Sequence, residues 1–360
     1  MIDLSFFKGK KILITGHTGF KGSWLSYVLL NAGAEVAGFS LSPQTAPSLF
    51  EMMNLQEDMH SYIGDISDLP LLSRVFDEVQ PEIVLHLAAQ PIVRESYQNP
   101  VWTYQTNVMG TVNVLECIRR SDSVQSFLNV TTDKVYKNKE WEWGYRENEE
   151  LCGYDPYSNS KSCSELVTYS YQNSFFADKN VAISTARAGN VIGGGDFSVD
   201  RIIPDCFRAA SEGKNIVVRN PRSVRPYQHV LEPVVAYLQI VSGQLENKAL
   251  AGNYNIGPDE VDCIHTGELV SLFCQSWKNY NKENLRCETG SDNGPHEANF
   301  LKLDCSKFKK VFDWSPVWHI GEAVDKTVEW YSAYHNHYDV KAVMLKQLNE
   351  YIEGSRNERI

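Results

Sequence analysis

Lys11-Ile12-Leu13-Ile14-Thr15-Gly16-His17-Thr18-Gly19-Phe20-Lys21-Gly22 is the stretch that decides the fold of this chain. Its apolar start reads as a buried strand. Glycines 16, 19 and 22 follow at intervals of three, and a helical pattern through Trp24, Leu25, Val28 and Leu29 comes next. Glycine at those positions allows a tight turn and lets backbone N–H groups approach a pyrophosphate at the helix N-terminus. The stretch therefore predicts a dinucleotide-binding loop, with Gly16, Thr18, Gly19, Phe20, Lys21 and Gly22 as its candidate contacts. His17 and Lys21 are placed to approach the cofactor phosphates, although a solvent-facing helix start explains Lys21 equally well.

Outward from the loop, apolar runs alternate with helix-length segments. Strands are predicted at Val36–Phe39, Tyr62–Ile66, Ile83–Leu87, Phe127–Val130 and Val181–Ser184, with helices over Leu71–Val79, from Asn99 to about Arg119, and from Asp155. Continuous rather than alternating apolar strands indicate a parallel sheet covered on both faces, and such sheets bind ligands beyond their carboxyl ends. The fold class is α/β, a Rossmann-type doubly wound parallel sheet with a smaller C-terminal lobe. Residues 1–188 are assigned to the nucleotide domain. Residues 189–360 are mainly the substrate lobe, with the chain crossing back; short strands are expected at Ile216–Val218 and Tyr254–Ile256. Ser40 stands at the end of the second strand, where NAD-binding folds usually carry an acid, and no Arg or Lys lies between Val36 and Ala46 to meet a 2′-phosphate. That absence favours NAD over NADP. Asp65 and Ile66, then Ala88 and Ala89 past the fourth strand, and Asn107 on the long helix complete the candidate cofactor set. His86 reads as a satisfied core histidine.

The 360 residues carry a formal charge of −11, which argues against a chain-wide nucleic-acid role. No run is long and apolar enough to span a bilayer, and the first residues lack a signal-peptide pattern. Eight cysteines are scattered singly, with no metal-ligand spacing; they read as reduced, mostly buried thiols of a cytoplasmic protein.

Asp155-Pro156-Tyr157-Ser158-Asn159-Ser160-Lys161 opens a further helix, since Asp is a strong N-cap and Pro suits the first helical position. A spacing of four puts the Tyr157 phenol and the Lys161 ammonium on one face. The ammonium and the helix N-terminus both favour the phenolate, which predicts a lowered pKa and a general base usable near neutral pH. Tyr-x-x-x-Lys arises often by chance on solvated helices. Here it follows the glycine loop and Thr131-Thr132-Asp133-Lys134, which stands at the carboxyl end of a strand.

With these three features in order, the chain resembles the extended short-chain dehydrogenase/reductase superfamily over most of its length. Thr131-Thr132-Asp133-Lys134 is similar to the signature of nucleotide-sugar 4,6-dehydratases. The segments Trp141-Glu142-Trp143-Gly144-Tyr145-Arg146-Glu147-Asn148, Arg187-Ala188-Gly189-Asn190-Val191-Ile192-Gly193-Gly194-Gly195-Asp196 and Arg225-Pro226-Tyr227-Gln228-His229-Val230-Leu231-Glu232-Pro233, with the glycine loop, resemble the branch of that family that acts on CDP-glucose.

The resemblance implies an internal redox cycle with NAD. Tyr157, assisted by Thr132 and Lys161, takes the C4 hydroxyl proton while hydride leaves C4. Water is then lost across C5 and C6, and hydride returns to C6. Asp133 is the implied acid for the departing hydroxyl. Many relatives carry Glu next, as the C5 base; this chain has Lys134, which must be neutral when it acts. For the nucleotide-sugar substrate the resemblance points to Arg225 at the diphosphate and Asn190 beside the sugar, with Arg201 and Arg94 as further cations and Gln90 facing the hexose. The aromatic residues of 136–145 either wall the pocket or pack as ordinary core, and relatives pair as homodimers through the long helix and the Tyr157 helix. Three alternatives stay open: a dehydratase of UDP-N-acetylglucosamine type, which also carries an Asp-Lys pair; a 4-epimerase; and a non-catalytic NAD-sensing protein.

Overall fold

Seven strands form one sheet: β1 (Lys11–Thr15), β2 (Glu35–Ser40), β3 (His60–Ile63), β4 (Ile83–His86), β5 (Ser126–Val130), β6 (Ala182–Ala188) and β7 (Asn253–Ile256). The computed structural model describes residues 2–290 and 300–357. Neighbours run in the order β7-β6-β5-β4-β1-β2-β3, and every pair is parallel. This is the doubly wound arrangement expected of the sequence. Its strand order reverses between β1 and β4, and that reversal opens a crevice at the carboxyl ends.

Alternate residues of the strands feed two cores. Ile12 and Ile14 point to the side covered by Trp24, Leu25 and the helix Leu231–Glu246. Leu13 points to the other side, with Val84, Leu72, Leu115 and Phe127. β4, β5 and β6 are buried at every position, because helices cover both faces of a parallel sheet. Their few polar side chains are accordingly held by buried partners, as Asn129 is by Ser164 and Thr168 and Arg187 by Glu165. His86 is a core histidine: its Nδ1 lies 2.7 Å from Thr15 Oγ1 and its Nε2 3.1 Å from Thr111 Oγ1. Burial holds its pKa down to about 3, so the ring is neutral.

Three details differ from expectation. The third strand begins and ends earlier, and Asp65 instead caps the following turn by accepting the Ser67 N–H at 2.8 Å. The long helix is broken into Pro100–Tyr104 and Gly110–Arg120 by a π-helical turn at Gln105–Met109. The short run at 253–256 joins the main sheet as its seventh strand, beside β6. The lobe itself carries small strand pairs, Ile216–Val218 with Cys287–Thr289 and Val224–Arg225 with Ile264–His265. No helix among the described residues is long and apolar enough to cross a membrane.

Candidate active site

Gly16 has φ +79°, and a Cβ there would lie 2.7 Å from the Ala88 nitrogen. A Cβ on Gly22 would lie 2.1 Å from the Gly16 carbonyl oxygen. These two glycines let the loop fold onto itself and onto the segment that follows β4. Gly19 differs: its nearest neighbour would be 3.5 Å away, so nothing in the protein demands a glycine. Gly19 is also the N-cap of the helix Phe20–Asn31, and no side chain caps that end. The first-turn N–H groups and the space a Cβ would fill form a cradle suited to a pyrophosphate.

Thr18 Oγ1 donates to the Leu41 carbonyl and lies 2.9 Å from Ser40 Oγ, which binds the loop to the end of β2. His17 turns away from the cradle, against expectation. Its ring fills the space above Gly38, where a Cβ would lie 2.2 Å from it, and its Nε2 meets Ser61 Oγ at 2.8 Å. Burial lowers its pKa to about 4.

Thr132 caps a single helical turn, Asp133–Val135, by accepting the Lys134 N–H. Its hydroxyl donates to Asp133 Oδ1 at 3.0 Å, while Asp133 Oδ2 is buried without a hydrogen-bond partner among the described residues. Burial raises the Asp133 pKa, opposed by Lys134, the Thr132 hydroxyl and Arg225. The helix Pro156–Phe175 begins as expected, with Asp155 accepting the Ser158 N–H. Tyr157 is buried, and its pKa is pushed up to about 12, chiefly by desolvation. The lowered value expected from the Tyr-x-x-x-Lys spacing is overturned, because burial outweighs it. The Lys161 ammonium donates to the Val130 carbonyl at 3.1 Å, and its own pKa falls to about 7 through burial and the nearby Lys21. Lys21, whose pKa is lowered to about 8, reaches inward until its Nζ is 5.9 Å from the Tyr237 ring centre.

These lysines predict a pH dependence of stability. Above about pH 7 the folded Lys161 has released a proton that the unfolded chain still holds up to the ordinary lysine range, so stability rises with pH there. Between about pH 7 and ~8.5, where thiols begin to titrate, the unfolding midpoint of cofactor-free protein should climb. Lys161→Met should flatten the climb, and equal slopes for the two proteins would contradict the buried ammonium.

Thr132, Asp133, Lys134 and Tyr157 line one cavity of about 300 Å³ together with Lys21, Asn190 and Arg225. Six cationic and four acidic side chains border it, although the chain as a whole is strongly acidic. Arg201 is held by Asp196 at 2.8 Å, and Arg94 stands 4.0 Å from Asp200. Arg225 is 5% exposed and donates to the Val224 carbonyl at 2.9 Å.

Gln90 and Asn107 sit behind this cavity. Gln90 donates to Thr103 and accepts from Ile92, while Asn107 exchanges hydrogen bonds with the Gln90 backbone and donates to Ser160. Their polar atoms join the loop after β4 to the Tyr157 helix. Ala88 and Ala89 lie half-buried in that loop, and Ile66 packs where Gly110 leaves room. The aromatic residues of 136–145 do not wall the cavity: Tyr136, Trp141 and Tyr145 pack with Leu301 in a small core of their own.

Two features escaped the sequence reading. Tyr237, on the buried helix behind Lys21, has a hydroxyl with no hydrogen-bond partner among the described residues. Glu165 accepts from Thr131, Thr185 and Arg187, and so binds the Tyr157 helix to β5 and β6. Glu165 stands eight residues after Tyr157, on the face of the helix that meets the sheet, and that spacing is a usable signal. Tyr237 lies in a helix that is buried at every position from Leu231 to Val241 and gives none.

A cofactor cradle, buried Thr132, Asp133, Tyr157 and Lys161, and a half-buried Lys134 beside a cation-lined cavity define a Rossmann-type enzyme acting on a phosphate-bearing ligand. Residues 13–327 match the family model described as GDP-mannose 4,6 dehydratase. CDP-glucose 4,6-dehydratase of Salmonella typhimurium is 44% identical over 362 residues, which cover 99% of each chain. dTDP-glucose 4,6-dehydratase 1 of Escherichia coli is 26% identical, over 89% of this chain and 92% of its own. Among solved structures, dTDP-glucose 4,6-dehydratase from Bacillus anthracis in complex with NAD superposes with a TM-score of 0.75 at 22% identity, over 93% of this chain and all (100%) of that one. The Thermus thermophilus UDP-glucose 4-epimerase complex with NAD gives 0.76 at 23% identity, over 89% and 98%. The chain belongs to the GDP-mannose 4,6-dehydratase family and is a nucleotide-sugar 4,6-dehydratase.

Proposed function

We propose that this enzyme removes water from CDP-glucose to give CDP-4-keto-6-deoxyglucose, with NAD held at the glycine loop. The observation that carries dehydration is Asp133, a buried carboxyl with one unpartnered oxygen in the same cavity as Tyr157 and Lys134. An epimerase has no use for such an acid. The choice of CDP-glucose is supported by the full-length likeness to the Salmonella enzyme.

NAD, when bound, supplies a hydride acceptor for C4 and a donor for C6. Gly16, Thr18, Gly19 and the first turn of the helix after them would hold its pyrophosphate. Tyr157 takes the C4 hydroxyl proton, with the Thr132 hydroxyl beside it. Asp133, its proton favoured by burial, protonates the C6 hydroxyl as it departs. Lys134 removes the C5 proton, which the neighbouring ketone has made acidic. Arg225 meets the substrate diphosphate and Lys21 the cofactor phosphates, because charge-assisted donors suit paired phosphates.

Mass spectrometry after incubation with a panel of nucleotide-hexoses tests the substrate. CDP-glucose should lose one water with no net consumption of NAD, and substrate deuterated at C4 should give product deuterated at C6. Turnover of a UDP- or dTDP-sugar alone would sink the CDP assignment.

Gly19→Ala tests the cradle. The fold should be unchanged, since the added Cβ meets nothing closer than 3.5 Å. NAD should bind at least ~10-fold more weakly, the equivalent of about 1.4 kcal/mol. Wild-type affinity in a fluorescence titration would remove Gly19 from the site.

The proposal extends to a homodimer. Val101, Trp102, Met109, Leu166 and Tyr169 leave apolar surface exposed on the long helix and the Tyr157 helix, which a four-helix interface between two copies would cover. Light scattering should report twice the 40.8 kDa chain mass at micromolar protein. A monomer throughout would refute the interface.

A further inference from the structure

Two of the eight cysteines face each other on the small lobe, away from the chemistry described above. Cys274 lies on the helix Thr266–Asn281, and Cys287 opens the strand Cys287–Thr289. Their sulfur atoms are 3.3 Å apart. No other two cysteine sulfurs among the described residues come within hydrogen-bonding distance of one another. Cys287 is exposed and Cys274 half-buried, so an oxidant from solution reaches one thiol while the second waits beside it. A disulfide is ~2.05 Å long, so bond formation asks for little more than an ångström of closure, within reach of side-chain rotation at a lobe edge.

Cys206 lies behind the pair on the helix Ile202–Ser211 and is fully buried. Burial raises its thiol well above the ordinary range, which leaves it an inert neighbour. Burial and the Cys287 sulfur push the Cys274 thiol up as well. Cys287, the exposed member of the pair, is the thiol that a dissolved oxidant meets first.

We propose that Cys274 and Cys287 form a thiol–disulfide modification site that closes under a peroxide oxidant. The Cys287 thiolate attacks one peroxide oxygen; the O–O bond breaks and the departing hydroxide takes a proton, leaving a sulfenic acid and one water. The Cys274 sulfur then attacks the Cys287 sulfur; the S–O bond breaks, and a second water leaves with the Cys274 proton. Two thiols are oxidised by two electrons, and one peroxide is reduced to two waters. The bridge ties the helix to a strand that pairs with Ile216–Val218, and Val217 and Val218 border the substrate cavity. Oxidation therefore stiffens the lobe one strand away from the cavity wall.

The test uses full-length protein, reduced and then freed of reductant, titrated with hydrogen peroxide. The intact mass should fall by about 2 Da, for two hydrogens lost. Thiols titrated after denaturation should drop from eight to six. Peptide mapping without reductant should join Cys274 to Cys287, and dithiothreitol should restore all eight. Cys287→Ser and Cys274→Ser should each abolish the mass loss; the mapping of wild-type protein decides the matter even if a variant folds poorly. Oxygen addition at Cys287 without a link, a link to Cys206 or Cys152, or eight surviving thiols while free cysteine in the same tube is consumed would each overturn the proposal.

Discussion

Tyr157→Phe lowers turnover at least ~100-fold, the low end for loss of a general acid–base group, and leaves NAD binding and the unfolding midpoint close to wild type. The ring is buried at the start of the helix Pro156–Phe175, and Phe keeps that packing while removing only the hydroxyl. The phenol pKa is pushed up to about 12, because burial outweighs the Thr132 hydroxyl and Arg201, which favour the phenolate. Burial therefore disfavours the phenolate. The hydroxyl serves proton transfer rather than substrate binding, so turnover should depend on it much more than substrate affinity does. Loss should appear in kcat, with KM nearly unchanged. A well-folded variant with wild-type kcat would assign the C4 proton to a different group.

Much of this was legible in the sequence. Continuous apolar strands separated by helical patterns fixed a parallel sheet, because period and punctuation are local properties of the chain. The cap Asp155-Pro156 placed Tyr157 and Lys161 for the same reason. What escaped depends on distance through space. His17 looked like a phosphate ligand until the gap above Gly38, 21 residues later, was seen to hold its ring. Gln90 and Asn107 looked like ligand contacts, but each spends its polar atoms on the other's neighbourhood. Spacing alone put an ammonium beside the Tyr157 phenol. Folding gives that ammonium the Val130 carbonyl and removes enough water to reverse the sign of the phenol's shift. Burial is a property of the whole fold, so an argument from one helix face could not have weighed it.

Lys134→Ala allows oxidation at C4 and blocks elimination, so nicotinamide absorbance from bound NADH should accumulate in a single turnover. Asp133 and Lys134 share one helical turn at the end of β5, capped by Thr132, which fixes both side chains relative to Tyr157. The Lys134 ammonium has no hydrogen bond or ion pair among the described residues, and its side chain borders the cavity. Asp133→Asn should also arrest elimination, since an amide has no proton to give the departing hydroxyl. Losses of ~10²–10⁴ in turnover are expected for either. The two variants separate by exchange: Asp133→Asn should still exchange solvent deuterium into C5 of the oxidised intermediate, and Lys134→Ala should not. Lys134→Glu supplies the carboxylate carried by many relatives. An active Glu variant would show that the site accepts either base; an inactive one would show that two adjacent carboxyls, with Asp133 already resisting ionisation, cannot share this pocket. If Lys134 only orders the substrate, its loss should raise KM and spare kcat. Wild-type kcat in Lys134→Ala, with normal exchange at C5, would take the base assignment away from Lys134.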